Sequence, residues 1–258
     1  MLISFRRFGR FGMVVALLLI VVFATAAYAS HSWGSYHWAR KSNPFTLKLG
    51  DNMSTVWDAH LAMASGDWSQ SVVLDTNIAA GQTNPKSCKP VNGRVEVCNS
   101  KYGNTGWLGV AQIWVSGSHI TTGAVKLNDS YFNMPAYNTP AWRQFVVCQE
   151  IGHTLGLDHQ DENFGNPNLG TCMDYTSDPS TNQHPNAHDY EQLQTIYAHL
   201  DSTTTVGQAL PNGRSNVDLE EPGEWGRAIK KSGDGRNSLY ERDLGRGNKM
   251  FTFVVWAN

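Results

Sequence analysis

The sequence has no basic stripe, no internal repeat, no low-complexity tract and, past its N-terminal region, no apolar run long enough to cross a membrane. Each absence removes a class. Twenty lysines and arginines against 22 aspartates and glutamates give a net charge of −2, and without a clustered positive face no nucleic-acid partner is expected. The lack of a period argues against a repeat architecture. Cysteine is sparse, with four residues and none before Cys88.

What is present is ordinary globular material. A chain of 258 residues holds one large domain or two small ones, and 41% hydrophobic content suffices for a buried core. The N-terminus reads as a targeting segment. Arg6, Arg7 and Arg10 precede an apolar run from Met13 to Ala24, and Ala27-Tyr28-Ala29 is a small-x-small cleavage site. Residues 1–29 are therefore expected to be a signal peptide, cleaved near Ala29, and the protein to be secreted, with no stable membrane association afterwards. An uncleaved N-terminal membrane anchor is the alternative, but the run is short for a span. Removing the three arginines leaves 17 basic residues against 22 acidic, a net charge of −5.

Export into an oxidising compartment favours disulfides among the four cysteines. Cys88 and Cys98 flank a short segment containing Asn92-Gly93, a turn signal, and are expected to form a local clip. Cys148 then pairs with Cys172.

Hydrophobic spacing outlines the elements. Phe45–Gly50 alternates as a strand, a helix capped by Asn52 or Ser54 runs to about Ala64, and Ser71–Asp75 is a second strand. Gly106–Val115 and His119–Leu127 form a hairpin around Ser116-Gly117-Ser118. Thr139-Pro140 opens a helix reaching about Leu155, where Gly156 suits the turn-out. Asp158–Pro185 is loop-like and Asp189–Leu200 is an amphipathic helix. Thr203–Gly235 reads as a linker, and Thr252–Trp256 as a last strand.

The chemistry concentrates in Cys148-Gln149-Glu150-Ile151-Gly152-His153-Thr154-Leu155-Gly156-Leu157-Asp158-His159. Glu150, His153, Gly156 and His159 stand at positions of the signature H-E-x-x-H-x-x-G-x-x-H. Gln149 replaces the first histidine. On a helix, residues 149 and 153 share a face, and Gly156 lets the chain bring His159 back as a third ligand. Imidazole ligands with an open position suit Zn²⁺, and Glu150 can take a proton from metal-bound water.

With Met173 and Tyr175 in register behind this motif, the segment from Phe45 to Leu200 resembles the metzincin clan of zinc endopeptidases. The resemblance implies an α+β fold: a twisted mixed sheet, an active-site helix, a Met-turn and a C-terminal helix. It implies a catalytic domain over 30–200, Met173 as an apolar floor, and Tyr175 as a metal ligand or a donor to the oxyanion. Residues 201–258 have no counterpart there and are an extension of unknown role, a candidate source of latency or an extra layer on the sheet. No cysteine is available for a plug of the matrixin type.

The implied activity is hydrolysis of a peptide or protein substrate by a secreted enzyme expected to be a monomer, with Glu150 as general base and His153, His159 and Gln149 on the zinc. Substrate is expected to pair as a strand along His119–Leu127. For Gln149 three readings stay open: its oxygen ligates, His184 or His188 folds back instead, or the site is degenerate and the protein is a secreted binding module. Gln160, Asp161 and Glu162 read as a solvated loop, though acidic loops in this clan can take Ca²⁺. Asp158 either steadies a histidine or faces solvent. His31 and His37 are expected to be solvated, and His60 and His119 structural. Nine tryptophans read as core and cleft packing. Asn52-Met53-Ser54 and Asn128-Asp129-Ser130 match glycosylation sequons.

Overall fold

A computed structural model describes residues 30–208 and 222–257. The signal-peptide reading over residues 1–29 lies outside the described residues. Among the described residues no helix is long and apolar enough to cross a membrane.

The fold is a mixed α/β arrangement built on one sheet of nine strands. The strands are β1 (His37–Trp38), β2 (Phe45–Asn52), β3 (Leu74–Ala80), β4 (Val95–Ser100), β5 (Trp107–Ser116), β6 (His119–Asn128), β7 (Arg227–Lys231), β8 (Asn237–Gly245) and β9 (Asn248–Trp256). Among the described residues four α-helices accompany them: α1 (Asp58–Trp68), α2 (Asp129–Phe132), α3 (Pro140–Thr154) and α4 (Ala187–Ile196). The strand order is β3-β2-β4-β6-β5-β9-β8-β7, with β1 beside the start of β6. β2 runs parallel to β3 and β4, and β4 parallel to β6. β5 is antiparallel to both β6 and β9.

Local sequence explains these elements. In β2, Phe45, Leu47 and Leu49 are buried while Thr46 and Lys48 face solvent, the period of two that a half-covered strand requires. β5 is buried from Trp107 to Val115, as expected of a strand covered on both faces. Thr139 caps α3 by accepting a bond from the Trp142 amide, and Pro140 follows at the first turn. Asn186 and Asp189 form a reciprocal capping box on α4.

The main core lies between the sheet and α1, α3 and α4, around Trp57, Trp68, Val125, Phe145, Ile151 and Leu193. A smaller cluster on the opposite face joins Trp107, Trp114, Trp225, Met250 and Val254. β9 serves both, since Phe251, Phe253 and Val255 enter the first and Met250 and Val254 the second. Both disulfides, Cys88–Cys98 and Cys148–Cys172, are formed.

Several expectations need correction. α1 starts at Asp58 with no side-chain cap bond from Asn52 or Ser54, and it runs on to Trp68. Val56, expected on its apolar face, is exposed ahead of it. The second strand lies at Leu74–Ala80 rather than Ser71–Asp75. α4 ends at Ile196, and Leu200 is exposed beyond it. β4 and β8 were not foreseen, and the expected linker contains β7. The strands of the extension add to the same sheet, so they are neither a separate layer nor a free tail. The sequon asparagines are unavailable to a glycan: Asn128 is buried as the cap of α2, and Asn52 is buried with its amide on Glu96.

Candidate functional site: a buried cluster under the last strand

α3 delivers Gln149, Glu150 and His153 to one buried spot, each with no exposure. The helix must then stop and reverse. Gly156 takes φ +104°, in the left-handed region that side chains resist, and the chain returns through Leu157 to His159. The C-terminal end of α3 is held by the N-terminal lead-in. The indoles of Trp33 and Trp38 donate to the carbonyls of His153 and Thr154 at 3.0 and 2.8 Å, and the Tyr197 hydroxyl donates to that of Leu155 at 2.9 Å. These are carbonyls that a helix end leaves without partners.

The two histidines are oriented alike. His153 Nδ1 donates to the Leu157 carbonyl at 2.9 Å, and His159 Nδ1 to the Glu162 carboxylate at 2.8 Å. An acceptor on Nδ1 fixes the proton there and leaves Nε2 as a bare lone pair. Both Nε2 atoms are buried without a hydrogen-bond partner, as are both amide atoms of Gln149 and both carboxylate oxygens of Glu150. The imidazoles lie edge to face with centroids 4.5 Å apart. Burial, with His159 nearby, holds the His153 imidazole well below its ordinary pKa, so it is neutral. Burial pushes the Glu150 carboxyl well above the usual carboxylate range. The backbone amides of Val255 and Ala111 oppose that shift without making bonds of ordinary geometry.

Unpartnered buried polar groups are costly, on the order of 1–3 kcal/mol each. Here the two imidazoles lie against each other with their Nε2 atoms unpartnered, and imidazole nitrogen is a donor that suits a zinc-class ion. His153 and His159 Nε2 fit such an ion, and the Gln149 carbonyl oxygen is chemically able to join them.

The surroundings complete the cluster. Met173 is fully buried, and its sulfur lies so close to the backbone at Gly152 that a Cβ there would come within 2.5 Å of it. Only glycine fits between the helix and the methionine. Tyr175 sits over His159, ring centroids 4.3 Å apart, and donates its hydroxyl to the Val254 carbonyl at 3.3 Å. Burial raises its phenol pKa well above 10, with the Glu162 and Glu150 carboxylates adding to the shift. The Cys148–Cys172 bond ties the helix to this turn.

Other expected participants lie elsewhere. His184 is exposed and its Nδ1 pairs with Asp67 at 2.7 Å, while the His188 ring packs on His31 with centroids 4.6 Å apart. His31 and His37 are buried rather than solvated, because His31 binds Asp189 and His37 binds Asp201. The loop 160–162 is not simply solvated either: Gln160 binds Asp189, and Glu162 holds His159. Asp158 accepts from the His159 amide at 2.8 Å and pairs with Lys230. His60 is part-buried and bonded to Gln144 at 3.1 Å.

The expected substrate edge also moves. β6, holding His119–Leu127, is interior, paired with β4 on one side and β5 on the other. The strand that borders the cluster from the far side is β5, and β9 pairs with it antiparallel from Trp107↔Trp256 to Ser116↔Asn248. β9 thereby roofs the site. The Phe253 ring stacks on His153, centroids 4.0 Å apart and planes 11° from parallel. Lys230, on β7, clamps Asp158 and Glu162 at 2.8 and 3.3 Å. Sequence reading missed Phe253, Lys230 and the lead-in tryptophans. Glu162 alone carried a local signal, three residues after His159.

No family model matches the sequence, and no curated protein matches it. Among solved structures 21 chains match. One is the crystal structure of myroilysin, with a TM-score of 0.35 and 12% sequence identity, covering 64% of this chain and 87% of that chain. A likeness at that level transfers neither fold nor activity, so what this chain does rests on its own residues.

Proposed function

We propose that this chain is a secreted zinc-dependent endopeptidase of metzincin type, held closed by its own last strand. The observation that carries the reading is the adjacent His153 and His159 rings, each with a buried, unpartnered Nε2, beside the equally unpartnered Gln149 and Glu150 of the same helix. His153 and His159 would hold the metal, each aimed by the acceptor on its Nδ1, with the Gln149 carbonyl oxygen as a further ligand. A zinc ion held there would supply an acidified water and polarise a scissile carbonyl. Glu150 is the general base. It would take a proton from the attacking water and pass it to the leaving amine. Tyr175, once released from the Val254 carbonyl, points its hydroxyl at the developing oxyanion.

β9 lies where an extended peptide would pair with β5. The reading therefore includes latency: the full chain turns over slowly until β9 leaves. The same roof, together with Gln149, favours a second reading, a sealed non-catalytic binding protein. Zinc content and casein cleavage separate the two. The enzyme reading expects bound zinc, cleavage that rises in Phe253→Ala, and a loss of about 10²–10⁴-fold from that level when Glu150→Ala is added. Zinc-free, inactive protein that acquires both properties only with Gln149→His would establish the sealed binder.

A further inference from the structure

A second set of metal-ligand atoms lies apart from the motif, where the lead-in meets the segment after α4. His37 Nε2, His199 Nε2 and Asp201 Oδ1 are all within 4.8 Å of one another. His37 Nε2 is 3.1 Å from His199 Nε2 and 3.3 Å from Asp201 Oδ1, and His199 Nε2 is 3.7 Å from that oxygen. His119 Nε2 approaches the same oxygen at 3.3 Å. Ligands around a tetrahedral zinc stand about 3.3 Å apart when bond lengths are about 2.0–2.1 Å. The spacing already matches.

His37 Nδ1 donates to the Ser35 carbonyl at 2.8 Å, so in the neutral ring Nε2 is a lone pair. That lone pair faces both His199 Nε2, which can donate to it, and the Asp201 carboxylate oxygen, so three ligand atoms already point at one another. The carboxylate is fixed in that direction. Arg40 holds Asp201 Oδ2 through its amide and guanidinium at 3.1 and 3.0 Å, which leaves Oδ1 turned to the imidazoles. His37 is buried, while the side chains of His119 and His199 are 34% and 54% exposed, giving an ion a way in.

We propose that His37, His199 and Asp201 form a structural site for a zinc-class ion, its fourth position left to solvent, that fastens the N-terminal lead-in to the segment after α4. Imidazole nitrogens and one shared carboxylate suit zinc, whereas calcium requires oxygen ligands. The site is independent of the motif cluster and of the proposed peptidase activity.

The test measures zinc per chain in the full mature protein after dialysis against added zinc, for wild type, His153→Ala/His159→Ala, and His199→Ala. The motif double variant should retain one zinc and, loaded with cobalt, show the visible band of a tetrahedral site. Adding His199→Ala should remove both. In the wild-type background His199→Ala should lower the content by one zinc, and because this side chain is half exposed the fold should survive. Zinc should raise the melting temperature of the motif double variant, and calcium should not. If the motif cluster binds no metal, the wild type holds one zinc and His199→Ala none, so failure of the peptidase reading remains distinguishable. The inference is overturned if His199→Ala leaves the wild-type zinc count unchanged, or if the motif double variant folds and binds none.

Discussion

The two histidine clusters of this chain are built in opposite ways. Around His153 and His159 every inward polar atom is buried and unpartnered, and a strand closes the top. Around His37 and His199 the carboxylate is shared with an arginine, the ligands touch one another, and two imidazoles reach solvent. The first arrangement is costly without an occupant and slow to reach with one. The second is cheap to leave as it is and easy to fill. In the proposed readings, that contrast is the one between a site for chemistry under exclusion of water and one that holds two chain segments together.

The contrast depends on the roof, so the sharpest way to break it is to remove the roof. Phe253→Ala deletes a fully buried ring stacked on His153. Loss of a buried aromatic of this kind costs about 3–5 kcal/mol. If β9 is a latch, the expected result is a large fall in melting temperature together with a gain of casein cleavage. A variant that loses stability and gains no activity would mean that β9 is part of the core and nothing more.

The lead-in connects the two clusters, and Trp38 is the joint. Its indole caps the carbonyl of Thr154 on the motif helix, and its neighbour His37 belongs to the other site. Trp38→Phe keeps most of the volume and orphans that buried carbonyl, at about 1–3 kcal/mol. Zinc should recover part of the lost melting temperature if the lead-in is fastened at His37, and the recovery should vanish when His199→Ala is added. Equal recovery in both variants would dissolve the distinction between the two clusters.

The motif helix was legible because its signals are local: a threonine cap, a proline at the first turn, the 149–153 spacing and the glycine stop all act within a few residues. The hairpin β5–β6 and the Cys88–Cys98 clip were legible for the same reason, while Cys148–Cys172 followed as the remaining pair. What escaped depends on long-range pairing. β9 was readable as a strand, but nothing in Thr252–Trp256 says that it pairs with β5 more than a hundred residues earlier. β4 hid because its neighbours cover both faces and remove the alternation that marks a strand. His37 was misplaced because a polar stretch near a terminus looks solvated until Asp201, across the fold, is seen to bind it.

The smallest effect concerns the clamp at the rim of the roof. Lys230 bridges Asp158 and Glu162, and it alone among the charged residues of β7 reaches the motif loop in the ion pairs described. Burial would raise the Glu162 carboxyl, but the hydrogen bond from His159 and the charge and hydrogen bond of Lys230 outweigh it and hold the pKa below the usual range. Burial would lower the Lys230 ammonium, and Asp158 and Glu162 outweigh that and raise it. The signs follow. A depressed carboxyl stabilises the fold above its unfolded pKa of about 4.3 and loses that contribution as pH falls through the folded value. A raised ammonium contributes below its unfolded pKa of about 10.4 and loses that contribution as pH rises through the folded value. The clamp is therefore whole between roughly pH 5 and pH 10. Because the pair is partly exposed, Lys230→Met should cost only about 0–1 kcal/mol near pH 7. The difference in melting temperature between variant and wild type should shrink on acidification, as pH falls through the lowered Glu162 value. A difference that stays constant from pH 8 to pH 3 would show that Lys230 acts through packing of its aliphatic stem rather than through charge, and the roof would then be closed by β9 alone.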